Sequence, residues 1–423
     1  MSNAMVAERQ DQADVNAIPL DRIDVSVPRL YEQDTIGPYF TRLRREDPVH
    51  YCAESLHGPY WSVTKFNDIV RVEVDHQTFS SESKLGGVVI DNINNRVETQ
   101  DFELPMFIAM DPPKHDEQRK VVSPIVAPPN LALLEPVIRE RAGLILDSLP
   151  VGEEIDWVDL VSIELTTMTL ATLFDFPWED RRKLTRWSDV ATATPATGII
   201  SSWDQWKAEL LECAQYFKVL WDRRVNEAPK ADLVSMLAHS PATRNMPFQE
   251  FLGNLMLLIV GGNDTTRSSI SGGVIALNRY PDQYRKLMAD PSLISKMVPE
   301  IIRWQTPLAH MRRTALADAD IGGKKIKAGD KVVMWYLSGN RDEEVIDRPE
   351  DFIIDRATPR HHLSFGFGIH RCVGNRLAEM QLRIIWEEIV KRYRKVEVVG
   401  EPVRTLSNFI HGFTRLPVKL HAH

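Results

Sequence analysis

Phe365-Gly366-Phe367-Gly368-Ile369-His370-Arg371-Cys372-Val373-Gly374 is the stretch whose reading decides the fold. It holds one of only three cysteines, Cys52, Cys213 and Cys372. Glycines surround the cysteine, and an amphipathic segment over 377–393 follows at once. Glycine opens backbone angles closed to other residues and lets another body come close. The start of a helix offers free amides and the positive end of the macrodipole, both of which favour an anion. A cysteine placed there is biased towards its thiolate. On composition alone, a buried inert thiol at a loop–helix junction is the commoner case. Cys52 and Cys213 lie in no comparable setting and read as ordinary small side chains.

Working outward, the chain has 423 residues, enough for two or three domains at ~100–200 residues each, although single cores of this size exist. Hydrophobic residues are 43% and charged residues 26%, which excludes disordered, collagen-like and coiled-coil classes. The net charge of −8 argues against sequence-independent nucleic-acid binding, which needs a basic face. Three cysteines make no disulfide framework and fit a reducing compartment. The longest apolar run, within 251–260, is broken by Gly253 and Asn254 and falls short of the ~20 residues of a membrane span. No secretory signal is visible, so a cytoplasmic protein is expected. Residues 1–5 read as a tag scar, residues 1–28 as a loosely ordered segment, and 29–423 as a single domain.

The fold class read from periodicity is mainly α, with small β-sheets. Helices are expected over 67–75, 131–148, 158–173, 205–226, 248–277, 281–288 and 377–393. Strands are expected over 49–63, 312–316, 319–321, 324–326 and 331–336, with a hairpin at Gly322-Gly323. The Gly-Gly and Asn/Asp turn residues of 85–100 predict a mobile loop. Pro299 should kink its helix or stand at the first position of a new one.

A thiolate facing a flat body across a glycine-lined loop suits the axial position of haem iron. The pattern Phe365-x-x-Gly368-x-x-x-Cys372-x-Gly374 resembles the haem-binding signature of the cytochrome P-450 monooxygenases. Three further motifs stand in family order. Gly261-Gly262-Asn263-Asp264-Thr265 resembles the oxygen-binding stretch of the long central helix. Glu300-Ile301-Ile302-Arg303 resembles the family's Glu-x-x-Arg, and His115-Asp116-Glu117-Gln118-Arg119 its early propionate-binding helix. The resemblance runs from about Asp34 to the C-terminus. It implies the cytochrome P-450 fold, a helical bundle around haem b, with O₂ as co-substrate.

The resemblance gives Cys372 as the metal ligand, with Gly374 hydrogen-bonding the sulfur and Phe365 shielding it. Cofactor contacts would come from Gly261 and from the cations His115, Arg119, Arg313 and His370, which would meet the two propionates. Arg312 competes with Arg313, and the trailing Ala315 and Asp318 favour Arg313. Two mid-helix glycines cost ~1 kcal/mol each against alanine, a cost expected where something must approach closely. Thr265 can bond back to the Gly261 carbonyl. Asp264 beside Thr265 makes an acid–alcohol pair suited to relaying protons, and these two are the catalytic candidates. Peroxide-using relatives carry Arg-Pro at that place; the intact pair here implies O₂ plus two electrons. Glu300 and Arg303 are three apart and can pair. Alone they would be a surface ion pair; the resemblance implies a buried structural tie that also takes Arg356.

The fuller stretches Gly261–Arg267, Glu300–Pro307 and His362–Arg376 resemble the bacterial alkane and fatty-acid terminal hydroxylases. That implies ω-hydroxylation of a medium-length chain held end-on. Candidate substrate walls are Leu85, Val88, Val89 and Ile90, with Leu257, Leu308 and Ile410. Within the sequence there is no dinucleotide-binding glycine loop and no ferredoxin cysteine cluster, which implies a separate iron–sulfur ferredoxin and its reductase. Arg371 and Arg376 are candidates for meeting that acidic partner. A small apolar substrate, a monomer, no nucleic acid and no membrane span complete the expectation. Other haem-thiolate substrates, such as a terpene or steroid, or a non-catalytic haem sensor, are the alternatives.

Overall fold

The long helix Phe248–Arg279 is the axis of the molecule, and its apolar positions explain why. Leu252, Leu255, Ile259, Ile270 and Leu277 are buried along it. Helices Glu164–Phe174, Arg182–Thr192, Ile294–Gln305 and Asn375–Arg392 pack around it. A computed structural model describes residues 14–91 and 102–423. Within them the fold is the mainly helical one expected, with small sheets at one side. The five-stranded sheet runs Val49–Cys52, Tyr60–Val63, Lys331–Met334, Met311–Ala315, Phe79–Ser80. Its Tyr60–Val63 and Lys331–Met334 pair is parallel and its other pairs antiparallel. Gly322 and Gly323, both at positive φ, close the hairpin between Ala319–Ile321 and Lys324–Ile326.

Some expectations need correction. Residues 15–27 do not form a loose lead-in. Two 3₁₀ turns, Val15–Ala17 and Leu20–Arg22, run into a segment where Ile23, Val25 and Val27 are buried. Those three alternate with polar residues, a two-residue period that their polar surroundings obscured. Asp24 accepts hydrogen bonds from the Ser26 amide at 2.8 Å and the Tyr60 hydroxyl at 2.8 Å, holding the segment on the sheet. Helices Arg182–Thr192 and Leu233–His239 were not anticipated; the first opens on a charged run and the second is two turns long. Pro299 lies inside Ile294–Gln305 rather than at its start. The amide it lacks would have served Ser295, which is exposed, so that carbonyl can turn to water. The predicted loop over 85–100 is described only to residue 91; its remainder lies outside the described residues. No single helix among the described residues is long and apolar enough to cross a membrane.

One buried ionic cluster joins the helices to the irregular chain before Cys372. Arg303 donates to Glu300 at 2.8 and 2.7 Å, and Arg356 donates to the same carboxylate at 3.0 and 3.1 Å. The Ile353 amide adds a bond at 2.9 Å. Arg303 also reaches the carbonyls of Asn340, Pro349 and Asp351. Burial alone would raise the Glu300 pKa, but the two guanidiniums and the amide outweigh it and hold it low.

Removing one partner of such a cluster strands the others. Glu300→Ala is expected to cost about 3–5 kcal/mol of unfolding free energy in denaturant titration. Because the folded pKa of Glu300 is depressed, the wild-type advantage is full above the unfolded carboxylate pKa and shrinks as pH falls through the folded one. Stability curves that stay parallel down to strong acid would contradict this.

Candidate active site

Cys372 opens onto a cavity of about 660 Å³. Protein surrounds the cysteine, yet its side chain keeps accessible surface, and that surface is cavity wall. The Cys372 amide donates to the Phe365 carbonyl at 2.7 Å, which closes the loop. The following helix runs from Asn375 with Gly374 as its N-cap, and the Gly374 amide reaches the sulfur, as expected of a cysteine at a helix start. Burial pushes the thiol pKa up, while the Gly374 amide, Arg119 and Arg371 pull it down without winning.

Phe365, Gly374, Arg119, Arg313 and His370 share that cavity. Arg313 and Arg312 separate by strand alternation. Met311 and Arg313 line the cavity, whereas Arg312 turns to the loop over 85–88. Arg312 donates to the carbonyls of Gly86 at 3.0 Å and Leu85 at 3.1 Å. His115 is buried just behind, its ring 4.3 Å from that of His370. Burial first, then Arg313, drives the His370 pKa to about 2, and burial lowers His115 as well. Both rings are neutral at ordinary pH. His115 Nε2 and both His370 ring nitrogens are buried with no protein partner. His115 Nδ1 donates to Asp116 at 2.7 Å, so its Nε2 is an acceptor, and the free donor is on His370. That buried donor beside two guanidiniums suits an anionic ligand with several oxygens. A thiol at one wall and this donor set at another fit a haem, its iron at Cys372 and its carboxylates at the cations.

The opposite wall is the helix Phe248–Arg279. Gly261 and Thr265 line the cavity, and Thr265 Oγ1 donates to the Gly261 carbonyl at 2.9 Å. A Cβ at Gly261 would meet nothing within 4 Å, so that glycine faces open space; at Gly262 it would stand 2.7 Å from Leu170, so that glycine serves helix packing. Asp264 does not line the cavity. One residue is about 100° of helix rotation, and Asp264 points at helix Arg182–Thr192 instead. Its Oδ1 accepts from Ser188 at 3.1 Å and pairs with Arg267 at 2.9 Å, and Arg267 also pairs with Asp189 at 2.7 Å. Its Oδ2 is buried without a partner. Burial is the main cause of its pKa rising to about 6, with Arg267 opposing and Asp189 adding.

Among the substrate candidates, Val88, Val89, Leu257 and Leu308 line the cavity. Leu85 does not: it ends a 3₁₀ turn, with its side chain 43% exposed and its carbonyl held by Thr314 and Arg312. Ile410 is buried behind Leu308, to which its backbone bridges, and Ile90 packs into the core beside Trp335. Glu300, Arg303 and Arg356 stand outside the cavity. Sequence reading missed His310. It lines the cavity and joins two walls, Nε2 accepting from the Ile90 amide at 3.0 Å and Nδ1 donating to the Asn408 carbonyl at 2.9 Å. Burial lowers its pKa to about 3, so it stays neutral and keeps both bonds. The alternation of Met311 and Arg313 with Arg312 and Thr314 was the available signal for this wall.

The family model described as "Cytochrome P450" matches residues 199–421. The chain is 38% identical to the linalool 8-monooxygenase of Pseudomonas putida, covering 95% of this chain and 99% of that protein. It is 31% identical to the methyl-branched lipid omega-hydroxylase of Mycobacterium bovis, covering 98% and 99%. The solved structure of cytochrome P450-153 from Novosphingobium aromaticivorans superposes with a TM-score of 0.88 at 48% identity, covering 94% of this chain and 99% of that one. The chain belongs to the cytochrome P-450 family. It is a monooxygenase of that family, which works with haem b and O₂.

The Asp264 geometry generates a stability test. A raised folded pKa means the wild type loses stability as pH climbs from the ordinary carboxylate value of 3.8 towards about 6. Asp264→Asn removes that loss, so its stability relative to wild type should rise across this window and level off above it. Thermal melts from pH 3.5 to 7.5 would show this; a constant difference would not fit a raised pKa.

Proposed function

We propose that the protein inserts one oxygen atom of O₂ into the terminal methyl C–H bond of a medium-length alkane or fatty acid, in the cytoplasm. One oxygen enters the C–H bond and the other leaves as water, consuming two electrons and two protons. The electrons come from a separate ferredoxin. The observation that carries this reading is the apolar lining of Val88, Val89, Leu257 and Leu308 in the cavity that Thr265 and Cys372 also line. Such a wall holds a chain by burial and leaves its end, rather than a polar handle, to be presented. The likeness to cytochrome P450-153 and to a lipid omega-hydroxylase points the same way.

Haem, when bound, supplies the binding and activation of O₂. Cys372 would hold the group through its sulfur, with the Gly374 amide moderating the sulfur's donation. Arg119, Arg313 and His370 would hold the carboxylates, His370 as a neutral donor, while His115, whose Nδ1 donates to Asp116 at 2.7 Å, packs against the His370 ring. Phe365 keeps water from the sulfur. Thr265 Oγ1, now donating to Gly261, is the hydroxyl that can hand a proton into the oxygen site. Asp264 stands behind it as a positioning residue and proton store: with a pKa near 6, its unpartnered Oδ2 can carry a proton close to neutral pH.

A second reading has support of its own. Thr192, Thr194 and Thr197 line the cavity, and these polar residues suit an oxygen-bearing terpene such as the linalool of the Pseudomonas putida relative. Titration with octane, dodecanoic acid, linalool and camphor, read as a low-to-high-spin shift, separates the two. Linear chains should shift the spin state, and turnover with a ferredoxin system should place the hydroxyl on the terminal carbon. Linalool alone binding would favour the second reading, and neither reading survives a preference for camphor. Thr265→Ala should keep the spin shift but lower the product formed per electron by about tenfold, with hydrogen peroxide released instead. Wild-type coupling in that variant would remove Thr265 from proton delivery.

A further inference from the structure

Glu73, on helix Phe66–Val74, is buried and plays no part in the roles assigned so far. Its carboxylate meets three donors from three separate segments. The Phe367 amide of the cysteine loop donates to Oε2 at 2.8 Å. Arg313 approaches Oε1 at 3.4 Å, and the Tyr336 hydroxyl donates to the same oxygen. The loop is shaped to this residue. Gly366 and Gly368 have φ of +64° and +65°. A Cβ at Gly366 would stand 3.0 Å from Glu73 Oε2, and one at Gly368 only 2.6 Å from the Glu73 carbonyl oxygen. Both glycines of the Phe-Gly-Phe-Gly run thus take left-handed backbone against this one residue, and at Gly368 a side chain would collide with its carbonyl. Glu73 also lines the cavity, beside Arg313 and His370.

We infer that Glu73 is a positioning residue that seats the cysteine loop and offsets the Arg313 charge at the cationic end of the haem site. The inference rests on the haem-thiolate reading above. A buried carboxylate is retained only where its partners hold it, and these partners are the cysteine loop and a proposed propionate cation. Its negative charge acts across a low-dielectric interior, where it favours the oxidised, more positive state of a nearby redox centre. Removing the charge favours reduction. Shortening the side chain withdraws the acceptor from the Phe367 amide and loosens the loop that aims the sulfur.

The test uses the haem-loaded protein and two spectroscopic readouts, the midpoint potential and the reduced carbon-monoxide Soret band. Wild type should show the long-wavelength band of a thiolate ligand; its absence would sink the haem-thiolate reading itself. Glu73→Gln should have a midpoint more positive than both wild type and Glu344→Gln, an exposed carboxylate on the surface that controls for lost charge. Glu73→Asp and Tyr336→Phe, which keep the charge, should leave the midpoint near wild type and raise the share of the short-wavelength, thiol-type band. With a normal wild-type band, a Glu73→Gln midpoint equal to that of Glu344→Gln overturns the charge role. Unchanged band shares in Glu73→Asp and Tyr336→Phe overturn the seating role, and this arm decides that role even if Glu73→Gln takes up no haem.

Discussion

The buried carboxylate of Glu300 is the point on which the cysteine's position depends. Arg303 and Arg356 are fixed by it, and Arg303 then fixes the carbonyl of Asn340. The Asn340 side chain carries the order onward. Its amide nitrogen donates to Thr306 and Ser364 at 2.9 Å each, and its oxygen accepts from the Leu363 amide at 2.7 Å. Ser364 donates to the Ile302 carbonyl at 2.9 Å. Phe365 follows, and its carbonyl receives the Cys372 amide. Hydrogen bonds and the short backbone between them thus link the Glu-x-x-Arg helix to the Cys372 amide. A surface ion pair could not do this, because solvent would let it rearrange at little cost.

The same interior that fixes these groups decides their charge. His115, His310 and His370 are all driven neutral by burial, so their hydrogen bonds do not vary across ordinary pH. Cys372 is pushed towards the thiol by the same cause. Charge at the site is therefore carried by Arg119, Arg313 and Glu73, and a cation beside the sulfur would favour its thiolate. The unpartnered nitrogens of His115 and His370 and the raised thiol express one deficit: the cavity is complete only with a ligand that is cationic at its centre and anionic at its edge.

How much of this was legible in the sequence follows from what each residue's role depends on. Roles tied to local spacing were readable. Glu300 and Arg303 share a helix face because they are three apart, Thr265 reaches Gly261 because they are four apart, and the glycines around Cys372 lie within one loop. Roles tied to direction were not. Asp264 and Thr265 are neighbours in sequence, but helix rotation sends one to the cavity and the other to Ser188 and Arg267. Leu85 lies three residues from Val88, but its side chain goes to solvent while its carbonyl meets Arg312. Glu73 was invisible, since its partners at 313, 336 and 367 are all more than 200 residues away.

The cavity wall follows the same division, and this bears on substrate choice. The loop carrying Val88 and Val89 is held by the strand Met311–Ala315 and the residue before it. Arg312 N donates to the Val88 carbonyl at 2.8 Å, Thr314 Oγ1 to Leu85 at 2.8 Å, and His310 accepts from Ile90. Those bonds run to backbone atoms, so they fix where the loop stands without dictating its side chains. Val88 and Val89 can then be exchanged for other apolar residues while the frame is kept. The contacts proposed for haem allow no such freedom, because Arg313, His370 and Cys372 would each act through a particular side-chain atom. One strand thus lies between a loop held through backbone, the proposed substrate side, and contacts made through side chains, the proposed cofactor side. Selectivity for chain shape can change on this scaffold without disturbing the site where oxygen is activated.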